Sequence, residues 1–184
     1  MKRNSVIIIG AGLGGLECGY ILAKNGMKVT VLEREAQVGG CLQTFRRGSA
    51  LFDTGFHYVG ALDEGESLHT LFSYFDLMNL PWKKLDEDCF DEVVIGENAF
   101  AFANKHQRFY ERMSSCFPKE REGLKKYVDF LKRVGDHIFY SFNRQSDDTF
   151  TNSLFARSAY EFLNETIQDP LLRKVLSGTS LKME

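Results

Sequence analysis

Six consecutive residues near the start of the chain have the glycine spacing of a phosphate-binding loop. The pattern G-x-G-x-x-G is formed by Gly10-Ala11-Gly12-Leu13-Gly14-Gly15. Gly10 permits a tight turn, Gly12 lets the backbone approach a pyrophosphate, and Gly15 lets a helix pack closely on a strand. Free N–H groups and partial positive charge at a helix start favour phosphate. The loop is therefore predicted to bind the pyrophosphate of a dinucleotide.

An acidic residue follows this loop at the spacing that the same chemistry needs. Glu33 comes 23 residues after Gly10, close to the offset of about 20 residues at which a carboxylate accepts hydrogen bonds from ribose. An acid here disfavours a 2′-phosphate, and therefore NADP. The alternative is a glycine-rich turn followed by a surface glutamate, which the ordered pattern of strand, loop, helix, strand and acid disfavours.

The elements that must position these residues follow from the hydrophobic pattern. Residues 6–9 are apolar and β-branched, which predicts a strand buried on both faces. Residues 13–25 have helical periodicity, with Gly26 as the stop. Residues 28–33 alternate as a second strand. The chain is therefore predicted to open with a Rossmann-like βαβ unit of the α/β class, with a right-handed crossover.

A second glycine-rich segment begins six residues after Glu33, where a simple nicotinamide-dependent dehydrogenase would enter another helix. It reads Gly39-Gly40-Cys41-Leu42-Gln43-Thr44-Phe45. Residues 42–46 and 50–53 are short extended stretches around Arg47-Gly48, which predicts a hairpin. The hairpin leads into Phe52-Asp53-Thr54-Gly55-Phe56-His57-Tyr58-Val59-Gly60. This order favours a flavin dinucleotide over a nicotinamide one.

These two glycine-rich blocks carry a family resemblance. The glycine pair after the acid resembles the G-G-R-x-x-[ST] signature of flavin amine oxidases and phytoene desaturases, with Cys41 in place of the arginine and Thr44 retained. The form G-G-C-x-x-T-F followed by F-D-T-G-x-H-Y-[VI]-G is most similar to the retinol saturase (all-trans-retinol 13,14-reductase) and carotenoid isomerase branch. The specific match covers residues 5–60.

The resemblance implies FAD as the cofactor and a role for each matching position. The glycine loop and Leu13 would hold the pyrophosphate, Glu33 the adenosine ribose, and Arg34 would lie beside adenine. The glycine pair would pass under the pyrophosphate and ribityl chain, and the segment from Gly55 to Tyr58 would lie near the flavin ring. The residues predicted to bind the cofactor are Gly10, Ala11, Gly12, Leu13, Gly14, Gly15, Glu33, Arg34, Gly39, Gly40, Cys41, Thr44, Gly55, Phe56, His57 and Tyr58.

No residue is predicted as the catalytic base, and three positions keep two interpretations. His57 is either a flavin neighbour or proton donor, or a packed histidine bonded to backbone. Asp53 is interpreted as a turn-capping or hairpin-bonding carboxylate rather than a catalyst. Cys41 has no partner cysteine nearby and is interpreted as a small residue beside the cofactor rather than a redox thiol.

Composition limits the remaining classes of function. The 184 residues are 43% hydrophobic and 26% charged, with a net charge of −2, so a basic nucleic-acid-binding surface is not expected. The four cysteines lack metal-ligand spacing, which predicts no metal site and a reducing, cytoplasmic compartment. No apolar stretch is long enough to span a membrane. Peripheral membrane association and the oligomeric state stay open.

The chain is predicted to have two parts. Residues 1–62 would be the N-terminal FAD-binding part, and residues 63–184 the start of a helix-rich α+β substrate or cap domain. The second part contains a hairpin around residues 96–98, a long amphipathic helix opened by Pro118, and a last helix capped by Asp169. Since no third strand and second crossover follow in the usual order, we expect a truncated chain that is inactive alone.

The resulting functional prediction is an FAD-dependent oxidoreductase. It would transfer hydride to or from conjugated carbon–carbon double bonds of a hydrophobic polyene or isoprenoid, such as a retinoid or carotenoid. Flavin amine oxidation on the same fold is the alternative enzyme class. A non-enzyme alternative is a prenyl- or lipid-binding protein similar to GDP dissociation inhibitors, which the intact glycines and Glu33 disfavour.

Overall fold

A computed structural model of the chain describes residues 4–140 and 148–179. The chain divides into two compact units, Met1–Pro81 and Trp82–Glu184. The predicted mixed α/β class is confirmed. The assignment of residues 1–62 to the cofactor and 63–184 to the substrate stays a prediction. Within the described ranges, no helix is both long enough and apolar enough to cross a membrane.

The first unit opens with the predicted strand, helix and strand. β1 (Ser5–Ile9) and β2 (Lys28–Leu32) pair in parallel, from Ser5 opposite Lys28 to Ile9 opposite Leu32. α1 (Leu13–Lys24) connects them, and its end is marked by Gly26 at a φ of +83°. α1 packs on one face of the pair at Gly19, where a Cβ would lie 3.5 Å from Cδ1 of Ile8.

The prediction that residues 6–9 are buried on both faces is wrong. The side chains of Val6 and Ile8 face α1 and are half-buried, whereas Ile7 is 67% exposed and Ile9 is 88% exposed. Leu32 on the neighbouring strand is also exposed. An apolar run shows that a strand can be buried, but which faces are covered depends on the elements packed against it.

The rest of the first unit is a hairpin and a short helix. A 3-10 turn at Gly40–Leu42 precedes β3 (Thr44–Arg47) and β4 (Ala50–Asp53), which pair antiparallel around Gly48 as predicted. α2 (Ser67–Tyr74) follows, and a second 3-10 turn spans Leu77–Asn79. The Lys24 ammonium donates to the Tyr74 carbonyl at 2.7 Å, so the end of α1 is bonded to the end of α2.

The second unit contains a hairpin and five helices in its described part. β5 (Asp91–Ile95) and β6 (Asn98–Phe102) pair antiparallel around Gly96, as predicted. The helices are α3 (His106–Cys116), α4 (Arg121–Tyr140), α5 (Asp148–Phe155), α6 (Ala159–Thr166) and α7 (Pro170–Ser177). The predicted long helix begins at Arg121 because Pro118–Glu120 forms a 3-10 turn. The apolar core comprises Phe100, Phe102, Met113, Phe117, Leu124, Leu163, Ile167, Leu172, Val175 and Leu176.

Candidate functional site

The glycine-rich loop lies between β1 and α1 and is hydrogen-bonded to the end of β2. Gly10 has a φ of +99°, a conformation that glycine adopts without the penalty that a Cβ imposes. Its N–H donates to the carbonyl of Leu32, the last residue of β2, at 2.7 Å. Ala11, the next residue, is buried. The loop therefore turns at the carboxyl ends of both strands, where ligands of open α/β sheets bind.

The first turn of α1 packs directly against this loop. A Cβ on Gly15 would lie 2.0 Å from the carbonyl oxygen of Gly10, so only glycine permits this approach. A Cβ on Gly14 would meet nothing within 4 Å, and Leu13 is exposed. Gly12 is the N-cap residue of α1, and no side chain caps this helix start. The first turn of α1 contains no acidic residue. The first N–H groups of α1 have no intrahelical acceptor, which suits an anionic ligand.

The second glycine pair contacts the loop through its backbone. The N–H of Gly39 donates to the carbonyl of Ala11 at 2.8 Å, and Gly39 forms a parallel β-bridge with Gly12. Gly39 and Gly40 have φ values of +113° and +57°. A Cβ on Gly40 would come within 3.1 Å of the Gly12 Cα. The two glycine segments, 28 positions apart from Gly12 to Gly40, thus form one backbone-lined cradle.

Glu33 joins the end of β2 to the glycine loop. Its Oε2 accepts the N–H of Ala11 at 2.7 Å, and its Oε1 accepts the N–H of Glu35 at 2.9 Å. The bond from Glu35, followed by that from Ala11, lowers the pKa of the Glu33 carboxyl, and partial desolvation opposes this effect. The carboxylate is therefore held ionised beside the loop, with acceptor capacity left for a further donor. Arg34 is exposed and pairs with Glu35 at 2.8 Å.

The structure places Cys41 within the 3-10 turn that begins at Gly40, and Thr44 two residues after that turn. Cys41 lies within the 3-10 turn as an exposed free thiol. Thr44 opens β3, and its hydroxyl accepts a long hydrogen bond of 3.4 Å from the Gln37 amide. In the described residues, no group of three or more His, Cys, Asp or Glu side chains could hold a metal ion.

Thr54 ties the segment after β4 to the same turn. Its hydroxyl donates toward the carbonyl oxygens of Cys41 and Gln43, at 2.6 and 2.9 Å. Gly55 and Phe56, which follow, are exposed. Thr54 is part of the predicted residue pattern, but this bond could not be predicted because the pattern does not show which backbone atoms approach the hydroxyl. The tether joins residues 53–58 to the cradle.

His57 forms a pair with Asp53 in this tethered segment. Nδ1 of His57 lies 2.6 Å from Oδ1 of Asp53. Both side chains are partly exposed, and Tyr58 beside them is exposed as well. The histidine is therefore bonded to a carboxylate. The predicted roles of residues 55–58 at a flavin ring stay predictions.

Comparison with known proteins agrees with this geometry. Residues 8–75 match the family described as NAD(P)-binding Rossmann-like domain. The all-trans-retinol 13,14-reductase of Danio rerio is 36% identical over 137 residues, which are 72% of this chain and 22% of that protein. The inactive all-trans-retinol 13,14-reductase of Danio rerio is 30% identical, again over 72% of this chain and 22% of that protein. Prolycopene isomerase 2, chloroplastic, of Oncidium hybrid cultivar is 24% identical over 93% of this chain and 32% of that protein.

The chain thus spans about a fifth to a third of the length of these curated relatives. The similarity to the reductases covers most of this chain, and the family match includes the glycine loop, Glu33, the glycine pair and the tethered segment. These residues lie in the part of the chain that matches the NAD(P)-binding Rossmann-like domain. The chain belongs to the retinol saturase and carotenoid isomerase family.

Proposed function

We propose that this protein is an FAD-dependent oxidoreductase that transfers hydride to or from conjugated carbon–carbon double bonds of a hydrophobic polyene. The relatives are named for retinol and prolycopene, which are both hydrophobic conjugated polyenes. The observation that carries the proposal is the cradle, in which Gly39 bonds to Ala11 and Gly40 lies against Gly12. At this cradle, no side chain caps the start of α1.

The residues of this cradle suit a dinucleotide. The uncapped first turn of α1 offers N–H groups to a pyrophosphate. Glu33 keeps acceptor capacity for a ribose hydroxyl while it bonds to Ala11. The bound flavin would supply the hydride chemistry, and the protein would bind, orient and shield the substrate. A carboxylate in this position would repel a 2′-phosphate, so NADP fits poorly.

FAD is proposed over a nicotinamide dinucleotide because of the chain that follows β2. Instead of entering a second helix, residues 39–42 fold back onto the glycine loop, and the hairpin β3–β4 follows. This arrangement adds a second backbone wall beside the pyrophosphate region. Since the matched family is described by NAD(P) binding, the nicotinamide dinucleotide is the competing cofactor, and the experiment must separate the two.

The test is to purify the full-length protein, record its visible absorbance, and release the cofactor by denaturation for identification by mass spectrometry. We expect flavin absorbance and FAD. Recovery of NAD, or a colourless protein that does not take up added FAD, would contradict the cofactor assignment.

Activity requires a separate measurement because one relative is named inactive. The flavin-loaded protein is incubated without oxygen with a chemical reductant and all-trans-retinol or a carotenoid. In a separate reaction, with oxygen and no reductant, it is incubated with a primary amine. We expect a polyene product that differs by two hydrogens or by double-bond geometry. Oxidation of the amine alone would instead identify an amine oxidase, and no turnover of any compound would contradict an enzymatic role.

A further inference from the structure

We propose that His57 delivers the proton when a conjugated double bond is saturated, and that Asp53 is its positioning residue; this inference rests on the proposed function. The starting observation is the 2.6 Å contact between Nδ1 of His57 and Oδ1 of Asp53. A carboxylate on Nδ1 fixes a proton on that nitrogen, which leaves Nε2 as the ring atom for proton transfer.

Stability does not account for this pair. The side chains of His57 and Asp53 are 55% and 40% exposed. An ion pair or hydrogen bond between such exposed groups contributes little to stability, because water screens it and ordering the side chains costs entropy. Asp53 ends β4, and His57 lies in the irregular segment beyond it, so no helix imposes their spacing of four residues. The chain folds back to bring them together.

The position of the pair links it to the cradle. Thr54, directly after Asp53, bonds to the carbonyl of Cys41 within the 3-10 turn. Gly40, the first residue of that turn, lies against Gly12. The pair is thus separated from the backbone of the glycine loop by a short series of direct contacts. The pair is therefore connected to the loop that is proposed to bind the dinucleotide.

The residues around His57 suit an apolar reactant. Phe56 and Tyr58, on either side of His57 in sequence, are 43% and 42% exposed. Exposed aromatic side chains next to a polar residue are typical of sites that bind hydrophobic molecules and orient them with a few polar groups. The titratable group that contacts the imidazole is Asp53.

Saturation of a double bond needs one hydride and one proton. The reduced flavin named in the proposed function would supply the two electrons as a hydride, which adds to one carbon. The electron pair of the former π bond takes the proton from Nε2 of the His57 imidazolium and forms a bond to the neighbouring carbon. The N–H bond breaks, the imidazole becomes neutral, and solvent restores the proton.

The test compares His57→Gln with His69→Gln, a matched substitution of the histidine on α2, and with Asp53→Ala. We expect His57→Gln to keep its flavin and its KM while kcat for saturation falls about 100-fold or more. His69→Gln should behave as wild type. In Asp53→Ala, kcat should fall, and the ring-nitrogen NMR shifts of neutral His57 should change from the Nδ1–H to the Nε2–H tautomer.

The outcomes separate this inference from the proposed function. An active wild type with an equally active His57→Gln variant would overturn the inference alone. So would loss of activity only in proportion to lost flavin, or a tautomer that Asp53→Ala does not change. A wild-type protein that holds no flavin and saturates no polyene would overturn the proposed function, and this inference with it.

Discussion

Replacing Gly15 with alanine should destabilise the glycine loop, and the structure gives the size of the perturbation. The added Cβ would lie 2.0 Å from the Gly10 carbonyl oxygen and 3.2 Å from the carbonyl carbon. Ordinary C···O contacts are about 3.3 Å or longer, so the start of α1 must move away from the loop by about 1 Å. Both atoms of the obstacle belong to the backbone, so no side chain can rotate to relieve the clash.

The energetic estimate combines two opposing effects. Overpacking of this kind costs about 1–3 kcal/mol. We expect Gly15→Ala to lie at the upper end of this range because the obstacle is backbone and cannot rotate away. Alanine regains up to about 1 kcal/mol over glycine through helix propensity. We expect a net loss of about 2 kcal/mol in the free energy of unfolding of the first unit. Dinucleotide affinity should fall as well, because the first N–H groups of α1 would be displaced.

The neighbouring glycine provides the control. A Cβ on Gly14 meets nothing within 4 Å, so Gly14→Ala should leave stability unchanged or raise it by up to about 1 kcal/mol. Urea unfolding followed by circular dichroism compares both variants with wild type, and calorimetric titration with FAD measures binding to Gly15→Ala. If Gly15→Ala is as stable as Gly14→Ala, the close packing of α1 on the loop is refuted.

Three further substitutions test other parts of the structure. Backbone hydrogen bonds lower the pKa of the Glu33 carboxyl, so its stabilising effect is present at neutral pH and lost as the pH falls through that lowered pKa. Urea unfolding should therefore show a larger difference between wild type and Glu33→Gln at neutral than at acidic pH. Gly135 lies within α4, and a Cβ there would meet nothing within 4 Å. Gly135→Ala should therefore raise the free energy of unfolding, measured by thermal unfolding, by about 1 kcal/mol. Ser158→Ala removes the capping box that Ser158 forms with Glu161 and should cost about 1 kcal/mol by thermal unfolding.

Each of these expectations has a contrary result. A Glu33→Gln difference that does not change with pH would show that the carboxylate bonds do not act in the folded protein. A destabilised Gly135→Ala variant would place that glycine against a neighbour, and an unchanged Ser158→Ala variant would mean that the start of α6 does not need its cap.

The local part of the fold could be predicted from the sequence. The helix expected over residues 13–25 is α1 at Leu13–Lys24, and the hairpins around Gly48 and Gly96 occur where turn residues separate extended stretches. These features are encoded by neighbouring residues. The exposure of Ile7 and Ile9 is not, because it depends on what packs against the second face of β1. Eight residues give little periodicity, so α7 could be predicted only from its start at Asp169-Pro170, and α5 and α6 were not predicted.

The candidate site divides in the same way. Motif spacing identified the glycines and Glu33, since each has a chemical reason for its residue type. Spacing could not show that Glu33 bonds to Ala11, that Thr54 bonds to Cys41, or that Asp53 meets His57. These contacts join segments that are separate in sequence or lie in irregular backbone, so their geometry is fixed only by the folded chain.

The first unit holds its loops by hydrogen bonds more than by apolar packing. Among the described residues of this unit, Ala11 has the only apolar side chain that is fully buried. Ile9 and Leu32, at the ends of the two strands, are exposed. The loop is hydrogen-bonded to the end of β2 and to the glycine pair through Gly10, Ala11 and Gly39. A ligand that binds only the folded loop adds about 2.7 kcal/mol of stability at 100 times its Kd. FAD should therefore slow amide hydrogen exchange at Gly10, Ala11 and Gly39, and exchange unaffected by saturating FAD would mean that the dinucleotide does not bind at this cradle.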